Sequence, residues 1–456
     1  MPLGLESVRA CLDGAVPGVI ATCSADGTPN VAYVSQVHYV DPQHVALSFQ
    51  FFSETRANIL ANPRATVQVI DPDSGIHYRL FLSYLRTETE GPLFESMKAR
   101  LAGIASHTGM SKVFRLRGSD VYRVQSIEQA PGHGLLRPPI RRARLGDLRR
   151  CLERLSRRPD LAGLLDELML ALREELEIDH AMLLLLNETG DRLYTVASQG
   201  YPQSGIGSEI LLGEGVVGVA GEQQTPIRIA HMAEEYLYSR AVRRQMLQST
   251  SAADLELEIP LPGLPQSNSQ LAVPLVRRQA LVGVLYVESA QDMRFSYEDE
   301  DALVCVAQHL ALAMQPGEVA AEPTETDNGT GGRRRPVGGE RVAVRHYACN
   351  DSIFVGEDYL IKGVAGAILW KLVRDYRDAG RTEFSNRELR VDPAIPLPEI
   401  SSNLEARLIL LQRRLVERCP FLGIERIGRG RFRLRVDHPI ELIDVSEGAV
   451  PRGPAG

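Results

Sequence analysis

The chain has 456 residues, 44% hydrophobic and 24% charged, with a formal net charge of -7. That length points to roughly three domains, and the ordinary apolar fraction excludes wholesale disorder. The longest purely apolar runs are as short as that from Ala181 to Leu186, far short of the about 20 residues a membrane helix needs. The start, MPLGLESVR, lacks a basic stretch followed by an apolar one, so secretion is not expected. Six cysteines (Cys11, Cys23, Cys151, Cys305, Cys349, Cys419) are scattered without a C-x-x-C pair. This argues against a disulfide framework or zinc site and for a reducing cytoplasm. The mild acidity counts weakly against nucleic acid, although an average can conceal a basic domain.

Two stretches interrupt the pattern. PGHGLLRPPIRRAR (131–144) combines Pro, Gly and four arginines and reads as a short linker. Residues 316–340 are dense in Gly, Pro and charge and carry no aromatic residue. They cannot bury enough apolar surface to offset their ordering entropy, so a flexible linker is expected. The expected division is 1–130, a linker 131–146, 147–315, a linker 316–340, 341–440, and a tail 441–456.

In the first segment, β-rich stretches flank the turn signal Asp26-Gly27, a hairpin signature. Further strands are expected over His44–Phe51, Ala65–Ile70 and Val121–Ile127, which together suggest a barrel or sandwich. Between two of them, Ser53 caps a helix that Pro63 ends. Ser53, Thr55 and Arg56 at a helix start bring N–H groups, hydroxyls and a guanidinium together, a combination suited to an anion.

The hairpin D-G-x-P, the strand VALSFQFF and the run SETRANILANPRA resemble the pyridoxamine 5′-phosphate oxidase-like FMN-binding split barrel, over about residues 10–130. The resemblance implies a flavin phosphate at this helix start, with Gln50, Phe51, Ser53, Thr55, Arg56 and Asn58 lining an FMN site. It also implies a homodimer. The family commonly has a basic residue where this chain has Thr55; Arg56 is displaced by one. Farther on, EGPLFESMKARLAGIASHTG reads as a helical insertion, and its His107 has no neighbouring acid or base to form a triad.

In the middle segment, Leu161, Leu164, Leu165, Leu168, Leu172 and Leu176 stand at helical spacing, with Asp160 as N-cap. The strands AMLLLLN and RLYTVASQG follow. Ser296-Tyr-Glu-Asp299 has the form of a capping box before DALVCVAQHLALAM, where Cys305 reads as a small core residue. His180 reads as packed. GEGVVGVAGE lacks the G-K-[ST] ending of a phosphate loop and fits a turn at a helix start. The order of the opening helix, GEGVVGVAGEQQTPIRI, SQLAVPLVRRQALVGVLYVES and the last helix resembles a GAF domain over about 147–315. The resemblance implies either a small-molecule sensor or a dimerising connector.

Residues 341–440 hold 18 Lys and Arg against 13 Asp and Glu, a surplus of +5 in a chain of net -7. Such asymmetry points to nucleic acid. Val364, Ile368, Leu372, Val373 and Tyr376 mark a helix ending near Gly380. Ser385-Asn-Arg-Glu388 and Ser402-Asn-Leu-Glu405 are capping boxes opening two more. Leu404, Leu408, Leu411 and Leu415 line one face of the last. A Gly-Arg-Gly turn then joins two β-prone runs whose arginines alternate with apolar residues.

SIFVGEDYLI, S-N-R-E-L and the ending R-x-G-R-G-R-F-R-L resemble the winged-helix domain of response-regulator transcription factors, over about 347–436. The resemblance implies that the third helix enters the major groove and the wing meets the backbone. Asn403, Arg407, Arg413 and Arg414 would then read or position DNA, and Arg429, Arg431 and Arg433 would touch phosphate. A basic face that serves protein docking is the alternative.

The fold class expected is multidomain α+β: a split β-barrel, a GAF-type α/β sheet domain and a winged-helix domain. The function expected is a cytoplasmic, dimeric, signal-responsive DNA-binding regulator whose barrel and GAF domain sense a small molecule or redox state. An FMN-dependent oxidoreductase with regulatory domains is the rival expectation, and no metal or catalytic residue is expected.

Overall fold

Strand alternation and leucine spacing organise the chain into four sheets. The protein is seen here as a computed structural model that describes residues 3–12, 18–34, 36–49, 54–71, 74–91, 93–94, 97–98, 116–132, 144–158, 160–229, 259–291, 294–314, 341–395, 404–428 and 430–445. The segment containing His107 lies outside these residues, as do both expected linkers over most of their length.

The first sheet holds β1 (Gly18–Cys23), β2 (Pro29–Val34), β3 (Val37–Asp41), β4 (His44–Phe49), β5 (Arg64–Ile70), β6 (His77–Glu88) and β7 (Gly118–Gln129). Its strands run in the order β2-β1-β5-β6-β7-β4-β3. The expected hairpin joins β1 to β2, with Gly27 at φ +91° in its turn. Helix α1 (Glu54–Ala61) follows β4 and stops just before Pro63, whose ring cannot continue a helix. Val45, Val67, Leu80, Leu82 and Tyr122 fill the barrel, and a 3-10 helix (Leu5–Leu12) plugs it with Leu5, Val8 and Leu12. Strand β6 pairs with both β5 and β7 and is the strand that sequence patterning overlooked. Its polar outward positions, including His77, Arg79 and Arg86, mask the alternation.

The second sheet holds β8 (His180–Leu186), β9 (Arg192–Gln199), β10 (Glu209–Leu211), β11 (Ile227–Ile229), β12 (Ser269–Arg277) and β13 (Ala280–Ser289), in the order β10-β9-β8-β13-β12-β11. Helices α2 (Arg144–Ser156) and α3 (Leu161–Glu174) precede it, α4 (Gly215–Gln223) interrupts it, and α5 (Tyr297–Ala313) closes it. Strand β8 is apolar throughout because both its faces are covered. Ala181, Leu183 and Leu185 join the core with leucines of α3 and α5, while Met182 and Leu184 meet Val216, Val219 and Ala220 of α4. The caps behave as expected. Asp160 accepts from the Gly163 N–H at 2.9 Å, and Ser296 and Asp299 form a reciprocal box. A Cβ on Gly218 would lie 2.2 Å from the Leu211 carbonyl oxygen, so this glycine run serves a close helix–strand approach.

Two expectations need correction. Helix α2 begins at Arg144, inside the stretch read as linker, and Arg154 pins it to Glu167 and Glu174 of α3 at 2.6 Å each. Cys305 is exposed, because it falls on the outer side of α5 between the buried pairs Ala302-Leu303 and Val306-Ala307. The buried cysteine of this region is Cys151, whose thiol burial pushes up to about 12.

Past residue 340 come β14 (Val342–Tyr347), β15 (Ser352–Val355) and β16 (Asp358–Ile361), then α6 (Gly363–Ala379), β17 (Glu383–Ser385), α7 (Asn386–Val391), α8 (Leu404–Arg418), β18 (Leu422–Gly428), β19 (Arg431–Val436) and β20 (Ile440–Val445). One sheet runs β16-β15-β14-β20 and a smaller one β17-β19-β18. Gly380 ends α6 at φ +67°, and Ser385 with Glu388 boxes the start of α7. Strand β20 pairs in parallel with β14, so ordered structure continues through Val445 into the expected tail.

Among the described residues, the barrel meets the second sheet's closing helix through Arg9, which lies 4.4 Å from the Tyr297 ring centre, itself 4.1 Å from Arg228, and pairs with Asp301 at 3.7 Å. Among the described residues no helix is long and apolar enough to cross a membrane.

His346 on β14 joins the two ends of the C-terminal segment. Its ring stacks on Trp370 at 4.7 Å, and its two nitrogens face Asp444 at 3.2 Å and Asp351 at 3.0 Å. Only the imidazolium can donate to both carboxylates. Burial lowers the pKa, but the bonds to Asp351 and Asp444 outweigh it and the net direction is upward from 6.5. A raised folded value means stabilisation that is complete below the unfolded pKa and lost as pH rises through the folded one. The melting midpoint of the C-terminal transition is therefore expected to fall as pH rises above 6.5. His346→Gln removes that component; an unchanged pH profile in the variant would contradict it.

Candidate functional sites

The first candidate site lies where β4 hands over to α1. Thr55 accepts a hydrogen bond from Asn30 Nδ2 at 2.8 Å, and buried Asn58 donates its Nδ2 to Thr22 Oγ1 at 3.3 Å. Arg56 pairs with Asp120 of β7, donates to Thr87 Oγ1 at 2.9 Å and lies 4.4 Å from the Phe49 ring centre. Thr87 in turn donates to Asp120 at 2.5 Å and bonds the Tyr84 hydroxyl at 2.7 Å. Gln50, Phe51 and Ser53, the other residues expected to line an FMN site, lie outside the described residues.

These three described residues do not fit a flavin phosphate in the way the sequence implied. The cation at the helix start is already neutralised, and Asp120 would repel a dianion placed beside it. Sequence reading missed Asp120 because it lies 64 residues from Arg56. Its place in the otherwise apolar-alternating strand SDVYRV was the available signal.

The second candidate site is the arginine set of the C-terminal segment. Arg431 and Arg433 stand exposed on β19, with Glu383 of β17 beside both, at 3.9 and 2.7 Å. Asn403 and Arg429 lie outside the described residues. The helix arginines are placed otherwise. Arg407 is 6% exposed: Nε donates to Glu188 Oε1 at 2.8 Å, Nη2 bonds the other oxygen, and the guanidinium lies 3.6 Å from the Tyr194 ring centre. Arg413 reaches Asp166 of α3 at 2.5 Å and the Val196 carbonyl of β9. Arg414 donates to the Leu360 carbonyl within its own segment at 3.1 Å. Burial draws the Arg413 and Arg414 guanidiniums below their ordinary value. It acts likewise on Arg407, where Tyr194 and Glu188 outweigh it and the net direction is upward. Lys362 with Glu209 at 3.0 Å and Arg426 with Asp160 at 3.8 Å extend the same contact.

So α8 faces its own core through Leu404, Leu411 and Leu415 and the second sheet through Arg407 and Leu410. Its exposed positions are Glu405, Gln412, Val416, Glu417 and Arg418. The expected DNA-facing arginines of this helix are engaged within the chain: Arg407 and half-buried Arg413 by the β8–β9 turn, β9 and α3, and Arg414 by Leu360 and Glu417 of its own segment. No periodicity announces that pairing. Glu188 reads as an ordinary turn residue, and Tyr194 as a core aromatic.

A third polar group lies on the α4 side of the second sheet. Gln270 and Glu288 are register partners across β12 and β13. Glu288 accepts from the Leu264 N–H at 2.9 Å and the Tyr286 hydroxyl at 3.3 Å, and Gln270 donates to Ser267 at 2.9 Å. Nearby His180 packs edge-on against Tyr201 at 5.5 Å. Among the described residues no cluster of three or more metal-ligating side chains occurs.

Asp120 gives the barrel site a direct test. Asp120→Ala leaves the half-buried Arg56 without its carboxylate, with Thr87 and the Phe49 ring still beside it, which is expected to cost about 1–3 kcal/mol in denaturant unfolding of the barrel. Replacing both partners with apolar residues is expected to recover most of that loss. A single variant as stable as the parent would show the pair to be immaterial.

Comparison with known proteins agrees with the first two sheets. Residues 5–125 match the pyridoxamine 5′-phosphate oxidase family, and residues 160–314 match the GAF domain family. No curated protein matches the chain. Among solved structures, an FMN-binding protein from Syntrophomonas wolfei is 20% identical, covering 29% of this chain and 88% of its own, with a TM-score of 0.25. The GAF domain of a phosphoenolpyruvate-protein phosphotransferase from Acinetobacter is 26% identical, covering 38% and 93%, with a TM-score of 0.30. The free methionine-R-sulfoxide reductase of Neisseria meningitidis, in complex with its substrate, is 19% identical, covering 37% and 87%, with a TM-score of 0.29. The chain thus carries a pyridoxamine 5′-phosphate oxidase-like barrel at its N-terminal end and a GAF domain in its middle.

Proposed function

We propose that the protein is a cytoplasmic sensory regulator that acts on DNA through its C-terminal segment, read as a winged helix. The observation that carries this reading is the C-terminal arrangement itself. Three helices are followed by the hairpin β18–β19, which pairs with β17 and exposes Arg431 and Arg433. The barrel and the GAF domain supply the sensing half, for a small molecule or a redox state. The acceptor-rich group around Glu288 and Gln270 suits a ligand that carries hydrogen-bond donors.

A homodimer belongs to this reading. Val31 and Tyr33 are 65% and 81% exposed on the outer side of edge strand β2, register partners of Ala21 and Val19. An exposed apolar edge of this kind is normally covered.

An FMN-dependent oxidoreductase is the rival. The family match and the FMN-binding neighbour favour it, and the Arg56–Asp120 pair counts against it. A flavin absorption band in the purified protein, with turnover of a pyridoxamine-like substrate, would decide for the rival.

The regulator reading predicts that the full-length protein binds a mixed-sequence DNA duplex at low salt and that affinity falls as salt rises. Removing two phosphate contacts with Arg431→Ala and Arg433→Ala is expected to lower the slope of log affinity against log salt by about two. An unchanged slope and affinity would remove the wing from the reading, and no binding at any salt would remove DNA.

A further inference from the structure

Helix α8 is covered from two sides. Leu404, Leu411 and Leu415 belong to the core of its own segment. On the other side the GAF domain presents a carboxylate, an aromatic ring and a carbonyl oxygen to the same helix. The backbone comes close here as well: a Cβ on Gly207, which holds φ +85°, would lie 3.7 Å from Leu410 and 3.8 Å from Arg414.

We propose that the GAF face formed by Glu188, Tyr194, Asp166 and the Val196 carbonyl is an occlusion surface that competes with DNA for α8. The proposal rests on the DNA-binding reading of the C-terminal segment and adds its control. Each group on this face offers an arginine what DNA would offer it. Glu188 takes Arg407 through two parallel hydrogen bonds, as a phosphate does. Tyr194 takes the flat of the same guanidinium, as a base does. Asp166 takes Arg413. A guanidinium so engaged cannot also reach a groove, so the two partners exclude each other. The stripe of α8 that stays open carries Glu405, Gln412, Val416, Glu417 and, at its last position, Arg418, so it offers a polyanion a single cation against two carboxylates.

The clamp is placed to be controlled. Glu188 lies in the turn between β8 and β9, the neighbouring strands that also form the floor facing α4. A ligand on the α4 side that shifts this hairpin draws the carboxylate away from Arg407. Release requires that the ligand bind the open arrangement more tightly than the closed one.

The test uses full-length Glu188→Gln, Asp166→Asn and the double variant. Asp166 has a 71% exposed side chain, so its replacement carries little risk to folding. Two quantities are read: hydrogen exchange over residues 404–418, and affinity for a mixed-sequence DNA duplex at low salt. Removing one partner of a buried charged pair weakens docking strongly, so the double variant is expected to exchange faster in α8 and bind DNA about tenfold or more tighter. A charge-matched control on the barrel, Glu90→Gln with Glu128→Gln, is expected to bind as the parent does. If the control tightens binding as much as the double variant, or if α8 is released and affinity stays at the parent value, the occlusion is overturned while DNA binding stands. If α8 is released and neither parent nor variant binds DNA, the DNA-binding reading falls and takes the occlusion with it. Unchanged exchange over 404–418 in the double variant also overturns it, because these carboxylates then do not hold the helix.

Discussion

The contact between Arg407, Glu188 and Tyr194 ties the C-terminal segment to the GAF domain, and much of the remaining architecture depends on it. A guanidinium 6% exposed must be compensated, since an unpaired buried charge is costly. The compensation comes from a carboxylate in a turn and an aromatic face on the adjacent strand, more than 200 residues upstream. Around it lie Lys362 with Glu209, Arg413 with Asp166 and Arg426 with Asp160, all joining the same two bodies. The peripheral pairs are half-buried to exposed and individually weak. Burial of Arg407 and the apolar contact near Leu410 give the interface its specificity, because a displaced helix leaves that charge without its partners.

The barrel repeats the same physics. Arg56 stands where an anion-binding cation is expected, and the fold supplies Asp120 from a distant strand. In both places a guanidinium expected from sequence to meet an external ligand is neutralised from inside the chain. The consequences differ. Arg56 lies half-buried within one barrel, beside Tyr84 and Thr87 of the same sheet, so its pairing joins parts of a single domain. Arg407 lies where the C-terminal segment meets the GAF domain, the contact on which the proposed release acts. A buried ion pair contributes little net stability, and one at a movable junction is suited to switching between two arrangements.

Much of this was legible in the sequence. Caps were read correctly because each is local: Asp160, Ser296 and Ser385 bond N–H groups three residues on. Gly380 and Pro63 ended their helices for equally local reasons. The double burial of β8 was visible as an unbroken apolar run. Strand β6 escaped because polar outward residues hid its alternation, and α2 escaped because arginines and a glycine near its start resemble linker composition. Cys305 was misplaced by reading an apolar helix as uniformly buried. Of the expected site residues, Arg431 and Arg433 on β19 stand exposed, while Arg407 and Arg414 are buried and Arg413 is half-buried against α3 and β9. Pattern reading identifies which residues share a face. It does not identify what covers that face when the cover comes from another domain.

The charge distribution sharpens the point. The surplus of +5 in residues 341–440 suggested a polyanion partner, yet part of that charge meets carboxylates of the GAF domain. An acidic GAF domain and a basic C-terminal segment on one chain attract each other at a local concentration no external partner easily matches. In the proposed regulator, charge asymmetry selects both the DNA partner and its intramolecular competitor, and a ligand that opens the junction works against that attraction. The β8–β9 turn is the economical place to do so. It carries the carboxylate that Arg407 requires, and its strands reach the opposite face of the sheet, where Tyr286, Glu288 and Gln270 gather. A displacement of one hairpin can then convert occupancy on one face of the sheet into exposure of a helix at the other.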